Sequence, residues 1–360
     1  KNKCIRIFLR DSLASVIIIA AGIFGAEYVF KLIGTSQSVM ELGTPYLRIM
    51  FVSMAFSIFM FIAMAAFHGA GNSKIPMITG LLGVVLNIIF DPLMIFGLGP
   101  FPEMGVAGAA WATLYSRFIG TALLLVLLLR HPLIFRSPIH HIRLDTNLIK
   151  ETFRIGLPGA AQMGIRSLSY IAFLRIASGF GTAVLAAMGV VFRINMFVLL
   201  PTFAISAAVG SSVGQNLGAG KPDRAWFVSQ KMALLTALYL WTVAFILIFA
   251  RTPILAQFLF EPLTMHLGSM FLLCLAIGYS MGAFGIILNG AARGAGATIY
   301  PLLLIIAAYF VFAVPFALVL SRSTLGVGGV FISYASGMII YALLMLAYYS
   351  SGHWTRKKIH

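Results

Sequence analysis

A glycine-rich stretch that occurs twice constrains this chain more than any other feature. GAGNSKIP beginning at Gly69 returns as GAGATIYP beginning at Gly294, a shift of 225 residues (69 to 294), which sets Pro76 opposite Pro301. GVAGAA from Gly105 is echoed by GVGGVF from Gly326 at a shift of 221 (105 to 326). Each copy also holds a hydrophobic span with a late proline, Pro92 in one and Pro315 in the other. Two copies of a unit about six spans long imply a two-lobed transporter fold, and the first copy shows only four of its six spans.

The spans follow from composition. At 61% hydrophobic and 9% charged residues, the chain has too few polar groups to cover a water-soluble surface. Runs of about 20 apolar residues, enough to cross a bilayer, fall at Ile7–Ile33, Leu42–Phe67, Ile75–Phe96, Val106–Leu129, Ile155–Ser178, Ala183–Val209, Phe227–Phe249, Met265–Leu288, Ile299–Leu320 and Val330–Tyr349. All are expected to be helical, because hydrocarbon leaves no other way to satisfy the backbone. The first run is too long for a signal peptide and belongs to the mature structure. The chain opens at Lys1 rather than Met, so an upstream segment is expected.

Cations set the orientation. With the N-terminus in the cytoplasm, sixteen of them, from Lys1, Lys3, Arg6 and Arg10 to Arg356, Lys357 and Lys358, collect on the cytoplasmic side. Only Lys31, Arg251 and Arg322 lie opposite, so both termini are expected in the cytoplasm and the protein in the cell (inner) membrane. The net charge of +16 then reflects basic loops facing anionic lipid, with no nucleic-acid module. Cys4 and Cys274 are poorly placed for a disulfide, and no cluster has metal-ligand spacing. A monomer is expected.

The fold class is therefore an all-α polytopic membrane protein with four spans in the first lobe and six in the second. Residues 1–129 form the N-terminal lobe, 130–154 a cytoplasmic linker with a short interfacial helix in its second half, 155–350 the C-terminal lobe, and 351–360 a cytoplasmic tail. His140 and His141 in the linker lack partner ligands for a metal. Three GAG stretches, at Gly69, Gly218 and Gly294, follow helices rather than strands and lack a following GK[ST]. They fit tight turns, not nucleotide loops.

Of nine acidic residues, only Asp91 sits well inside an apolar span. Such placement costs about 2.5–3.5 kcal/mol on insertion scales, so a compensating role is expected. Asn87 lies one turn earlier on the same face, Pro92 frees the carbonyl of Ile88, and Thr113 on the next span falls near the same depth. Asp91 is read as the site of the coupling ion, with Asn87 and Thr113 orienting it; the competing reading pairs Asp91 structurally with Asn87 or Arg117. Glu27 and Lys31 suit an intrahelical ion pair. The second lobe has no carboxylate within its spans but holds Gln162, Arg166, Arg175, Arg193 and Asn195. Gln162, Met163, Arg166, Tyr170, Asn195, Met196 and Tyr279 are candidates for the wall of a substrate cleft. Arg166 there would favour anionic or zwitterionic compounds, whereas Arg175 and Arg193 are read as structural.

RIGLPGAAQMGIRSLSYIAFLRIASGFGTAVLAAMGVVFRI around Gly156, SAAVGSSVGQNLGAGKPDRAW from Ser206 and LNIIFDPLMIFGLGPFPEMGVAGAAWAT from Leu86 resemble segments of the multidrug and toxic compound extrusion family. The resemblance covers essentially the whole chain. It implies a twelve-helix secondary exporter of drug-like or metabolic compounds, driven by H+ or Na+ entry, with no cofactor and no enzymatic activity. It also places Asp91, Asn87 and Thr113 at family positions implicated in cation coupling. The chain departs from the pattern by lacking the first two helices, and by carrying Arg166 about where some members hold a glutamate. Two alternatives stand beside export: a lipid-linked oligosaccharide or lipid flippase of the same superfamily, and a truncated form that does not transport.

Overall fold

The computed structural model describes residues 19–130, apart from 21, 29 and 32–36, and residues 146–355. Among them every regular element is helical, as a backbone that must satisfy itself in hydrocarbon requires. The chain divides into two compact units, Lys1–Ile149 and Lys150–His360. In the first, α1 (Gln37–Gly69) and α2 (Lys74–Ile95) both pack on α3 (Val106–Arg130). Ahead of them residues 22–28 are helical, and the expected Glu27–Lys31 pair forms at 2.7 Å. Most of the first expected span, with Cys4 and Asp11, lies outside the described residues, as do His140, His141, Asp145 and the last five residues of the expected tail.

The second stretch runs through α4 (Thr146–Ala177), α5 (Thr182–Gly218), α6 (Pro222–Leu255), α7 (Pro262–Gly294), α8 (Ile299–Ser321) and α9 (Val327–Ser350). Among the described residues eight helices, α1–α3 and α5–α9, are long and apolar enough to cross a membrane. The helix α4 has the length but not the apolarity, because Gln162, Arg166, Ser167 and Ser169 interrupt its run. Several helices outlast their apolar stretches; α5 continues nine residues past the expected Val209 and stops at the GAG turn.

Those turns share one geometry. Gly71, Gly220 and Gly296 all have positive φ, of 83°, 69° and 72°. At each, the following N–H reaches back to a carbonyl five residues earlier: Asn72 to Phe67 at 2.9 Å, Lys221 to Asn216 at 2.9 Å and Ala297 to Ala292 at 2.8 Å. The glycine N–H bonds inside that loop, as in a Schellman cap, and only glycine adopts the left-handed cap position without steric cost. The second echo is equally local: Gly105 and Gly326, at φ 53° and 52°, open α3 and α9.

In the second unit α7 is the central helix, packed against α5, α6 and α9. Small residues permit the approach. A Cβ added at Gly294 would lie 2.8 Å from both Cα and C of Gly210 on α5, and closer still to its oxygen. One turn earlier Gly290 meets the backbone of Ser206, whose Oγ donates to the Ile286 carbonyl at 2.8 Å. The helix α8 is not uniform: Ala307–Ala313 winds as a π-helix that ends two residues before Pro315. A proline cannot donate to the carbonyl four residues back, and a wider turn accommodates the missing bond. Pro92, Pro158 and Pro201 instead lie within continuous α-helix.

Candidate functional site

Each unit contains a cavity of its own. The cavity in the first unit holds about 260 Å³ and lies between α1, α2 and α3. Gly80, Gly83 and Gly120 make room for it, and Asn87, Thr113, Ser116 and Arg117 give it a polar wall. Asp91 lies one turn beyond, half-buried, and its Oδ1 accepts a hydrogen bond from Asn87 Nδ2 at 3.3 Å. Thr113 donates its hydroxyl to Ala109 of its own helix at 2.9 Å, which leaves lone pairs on its oxygen. Arg117, a candidate partner of Asp91, reaches α1 instead and donates to Ser53 Oγ at 3.1 Å. The structure thus brings Asn87 and Thr113 to one cavity, with Asp91 joined to it through Asn87.

The cavity in the second unit is larger, about 710 Å³, within the range of sites for small organic molecules. Arg166 and Tyr170 on α4, with Arg193, Asn195 and Met196 on α5, line it. Arg166 sits over the rings of Tyr341 and Phe203, at 5.5 and 5.9 Å from their centroids. The aromatic wall is continuous: Tyr170 packs edge-on against Phe192 at 4.4 Å, and Phe192 against Tyr334 at 5.2 Å. Tyr309, within the π-turn, completes it at 6.4 Å from Tyr334.

Three other candidates lie off this cavity. Gln162 is buried, donates to the Thr298 carbonyl at 3.0 Å and accepts from Asn289 at 2.9 Å. Tyr279 is fully buried and donates to Asn195 Oδ1 at 2.7 Å, holding that side chain from behind. Met163 is 74% exposed and not among the lining residues. Conversely, Arg193, Tyr309 and Tyr334 line the cavity although sequence reasoning did not select them for it. For Arg193 the signal existed, a cation in a unit whose spans hold no acid. For Tyr309 none did, because the π-turn shifts the face it occupies.

Paired helical units, repeated corner geometry and internal cavities on membrane-length helices define a multi-pass membrane transporter. The MatE family model matches residues 3–93 and 158–319, more than half of the chain. The chain is 31% identical over 353 residues to the probable multidrug resistance protein YoeA of Bacillus subtilis, covering 96% of this chain and 75% of that protein. It is 28% identical over 294 residues to the FAD transporter of Shewanella oneidensis, with 79% of this chain and 63% of that protein covered. Among solved structures, a MOP superfamily transporter from Pyrococcus furiosus shares the fold at a TM-score of 0.91 and 20% identity, over 99% of this chain and 80% of that one. The chain belongs to the MatE family, whose members are transporters and not enzymes.

Proposed function

We propose that this chain exports drug-like or metabolic compounds from the cell by antiport, with H+ or Na+ entry as the driving force and alternating access of the two units as the mechanism. Family membership supports export of small molecules. The observation that carries ion coupling is Asp91. It is the one carboxylate deep inside an apolar span, held by Asn87 beside a small cavity whose wall also carries Thr113. One carboxylate oxygen takes the Asn87 bond, and the other is available to a proton or a sodium ion. Thr113, through its unshared lone pairs, can add a ligand to a cation entering the cavity. Arg117 donates to Ser53, so the Asp91 charge is not already neutralised by it.

On this reading the 710 Å³ cavity is the substrate chamber, the protein is a monomer in the inner membrane, and both termini face the cytoplasm. The basic loops contact anionic lipid, and no nucleic acid or cofactor takes part. The test is export from proteoliposomes under imposed proton and sodium gradients. Asp91→Asn keeps the size and the bond to Asn87 but removes the charge, and is expected to abolish gradient-driven export at matched reconstitution. Export by the variant equal to that of the parent would end the assignment of coupling to Asp91.

A further inference from the structure

We infer that the cavity of the second unit selects aromatic anions, a planar ring system carrying a carboxylate, sulfonate or phosphate. This assigns a substrate class to the chamber named above and rests on that export reading. Three observations combine.

The first is charge. Arg166 and Arg193 both line the cavity, on facing helices α4 and α5. After residue 150 the chain has only three acidic residues, Glu151, Asp223 and Glu261. The last two sit at the starts of α6 and α7, and Glu151 lies in the first turns of α4 before its apolar run. Among the described residues neither guanidinium has an ion-pair partner. Two uncompensated cations in one apolar cavity repel a cationic guest and attract an anionic one.

Orientation is the second. Arg166 is placed over two rings, Tyr341 and Phe203. Two aromatic neighbours hold the guanidinium in place, and the fork geometry of its N–H donors matches the two oxygens of a carboxylate or phosphate.

The third is shape. Tyr170, Phe192, Tyr309 and Tyr334 form a run of edge-to-face rings on the same wall. Such a wall offers ring faces and edges to a flat guest, and a volume of about 710 Å³ admits a fused three-ring system with a substituent.

The experiment uses two dyes built on the same planar three-ring xanthene core and opposite in charge, fluorescein as the anion, with a pendant carboxyphenyl ring, and pyronin Y as the cation. Binding to the purified full chain in detergent is followed by fluorescence polarisation. The parent is expected to bind fluorescein at least about tenfold more tightly than pyronin Y. The double variant Arg166→Gln, Arg193→Gln is expected to lose that preference while keeping its affinity for pyronin Y or gaining some. Equal or tighter binding of pyronin Y by the parent overturns the inference without any variant, as does binding of neither dye. Retention of the preference by a folded double variant overturns it as well. Should that variant not fold, Arg166→Lys decides: it keeps the charge but loses the fork, so its preference for fluorescein is expected to fall, and an unchanged ratio counts against the inference. Gradient-driven movement separates the two readings. Pyronin Y exported and fluorescein ignored leaves the exporter standing and removes the anion assignment. Fluorescein bound tightly with neither dye moved by any gradient does the reverse.

Discussion

Replacing Gly294 by alanine adds one methyl group where α7 crosses α5, and the structure allows its cost to be worked through. The new Cβ would lie 2.8 Å from two backbone atoms of Gly210, against about 3.4 Å for ordinary contact, so the helices must part by more than 0.6 Å there. No flexible side chain can yield in their place, because the three nearest atoms all belong to the Gly210 backbone. Overpacking of this kind costs about 1–3 kcal/mol. Parting the helices also lengthens the Ser206 bond to the Ile286 carbonyl, now 2.8 Å, and an interhelical bond in a membrane protein is worth about 0.6 kcal/mol. The sum is roughly 2–4 kcal/mol. At about 2–4 °C per kcal/mol for a unit of this size, the melting temperature in detergent is expected to drop by at least about 4 °C. Gly164→Ala is the control. Its Cβ would meet nothing within 4 Å, and alanine favours helix over glycine, so its melting point should be unchanged or slightly higher. If Gly294→Ala melts within a degree of the parent, the crossing is not as close as the structure has it, and the account of α7 as a helix packed through its glycines fails.

Two further substitutions probe other parts of the molecule. Gln162→Leu should leave the Asn289 amide and the Thr298 carbonyl without their present partners. It should lower stability by about 1–3 kcal/mol while leaving the ratio of fluorescein to pyronin Y binding unchanged; a changed ratio would return Gln162 to the cavity wall. Trp354 is fully buried between Trp226 and Tyr349, and its indole N–H donates to the Tyr349 carbonyl at 3.1 Å. Trp354→Ala removes a fully buried aromatic side chain, should cost about 3–5 kcal/mol, and should lower the melting temperature in detergent by at least about 6 °C; an unchanged melting point would refute this packing.

Much of this architecture was legible in the sequence, for reasons that differ by element. The GAG corners could be read because a Schellman cap is a local device that needs a left-handed glycine, so three copies of one string gave three copies of one turn. Eight of the ten expected spans could be read because hydrocarbon imposes a length and a composition. Asp91 stood out as a charge in an apolar run, and Asn87 followed from helical spacing. The cavity wall was harder. Gln162 looked like a cavity residue as a polar side chain in a membrane span, and Tyr279 as an aromatic fit for an apolar wall, yet each spends its hydrogen bonds inside the unit, on Thr298 and Asn289 in one case and Asn195 in the other. Polarity marks a residue that needs a partner; only packing shows whether that partner is protein or guest. Arg193 was read as structural, like Arg175, and only its place with Arg166 in the lining of one cavity distinguishes it.

The wide turn at Ala307–Ala313 bears on how this chain should be compared with others. A π-turn behaves as an insertion of about one residue into an α-helix, so residues on its two sides obey helical wheels offset by roughly 100°. A relative whose helix is α throughout, with no proline at the position of Pro315, should need one residue fewer there. An alignment that sets that gap on the wrong side of Tyr309 will match this residue of the cavity wall with one about 100° away around the helix. A role transferred through such an alignment would then be wrong for this residue, while every neighbouring helix remained correctly matched.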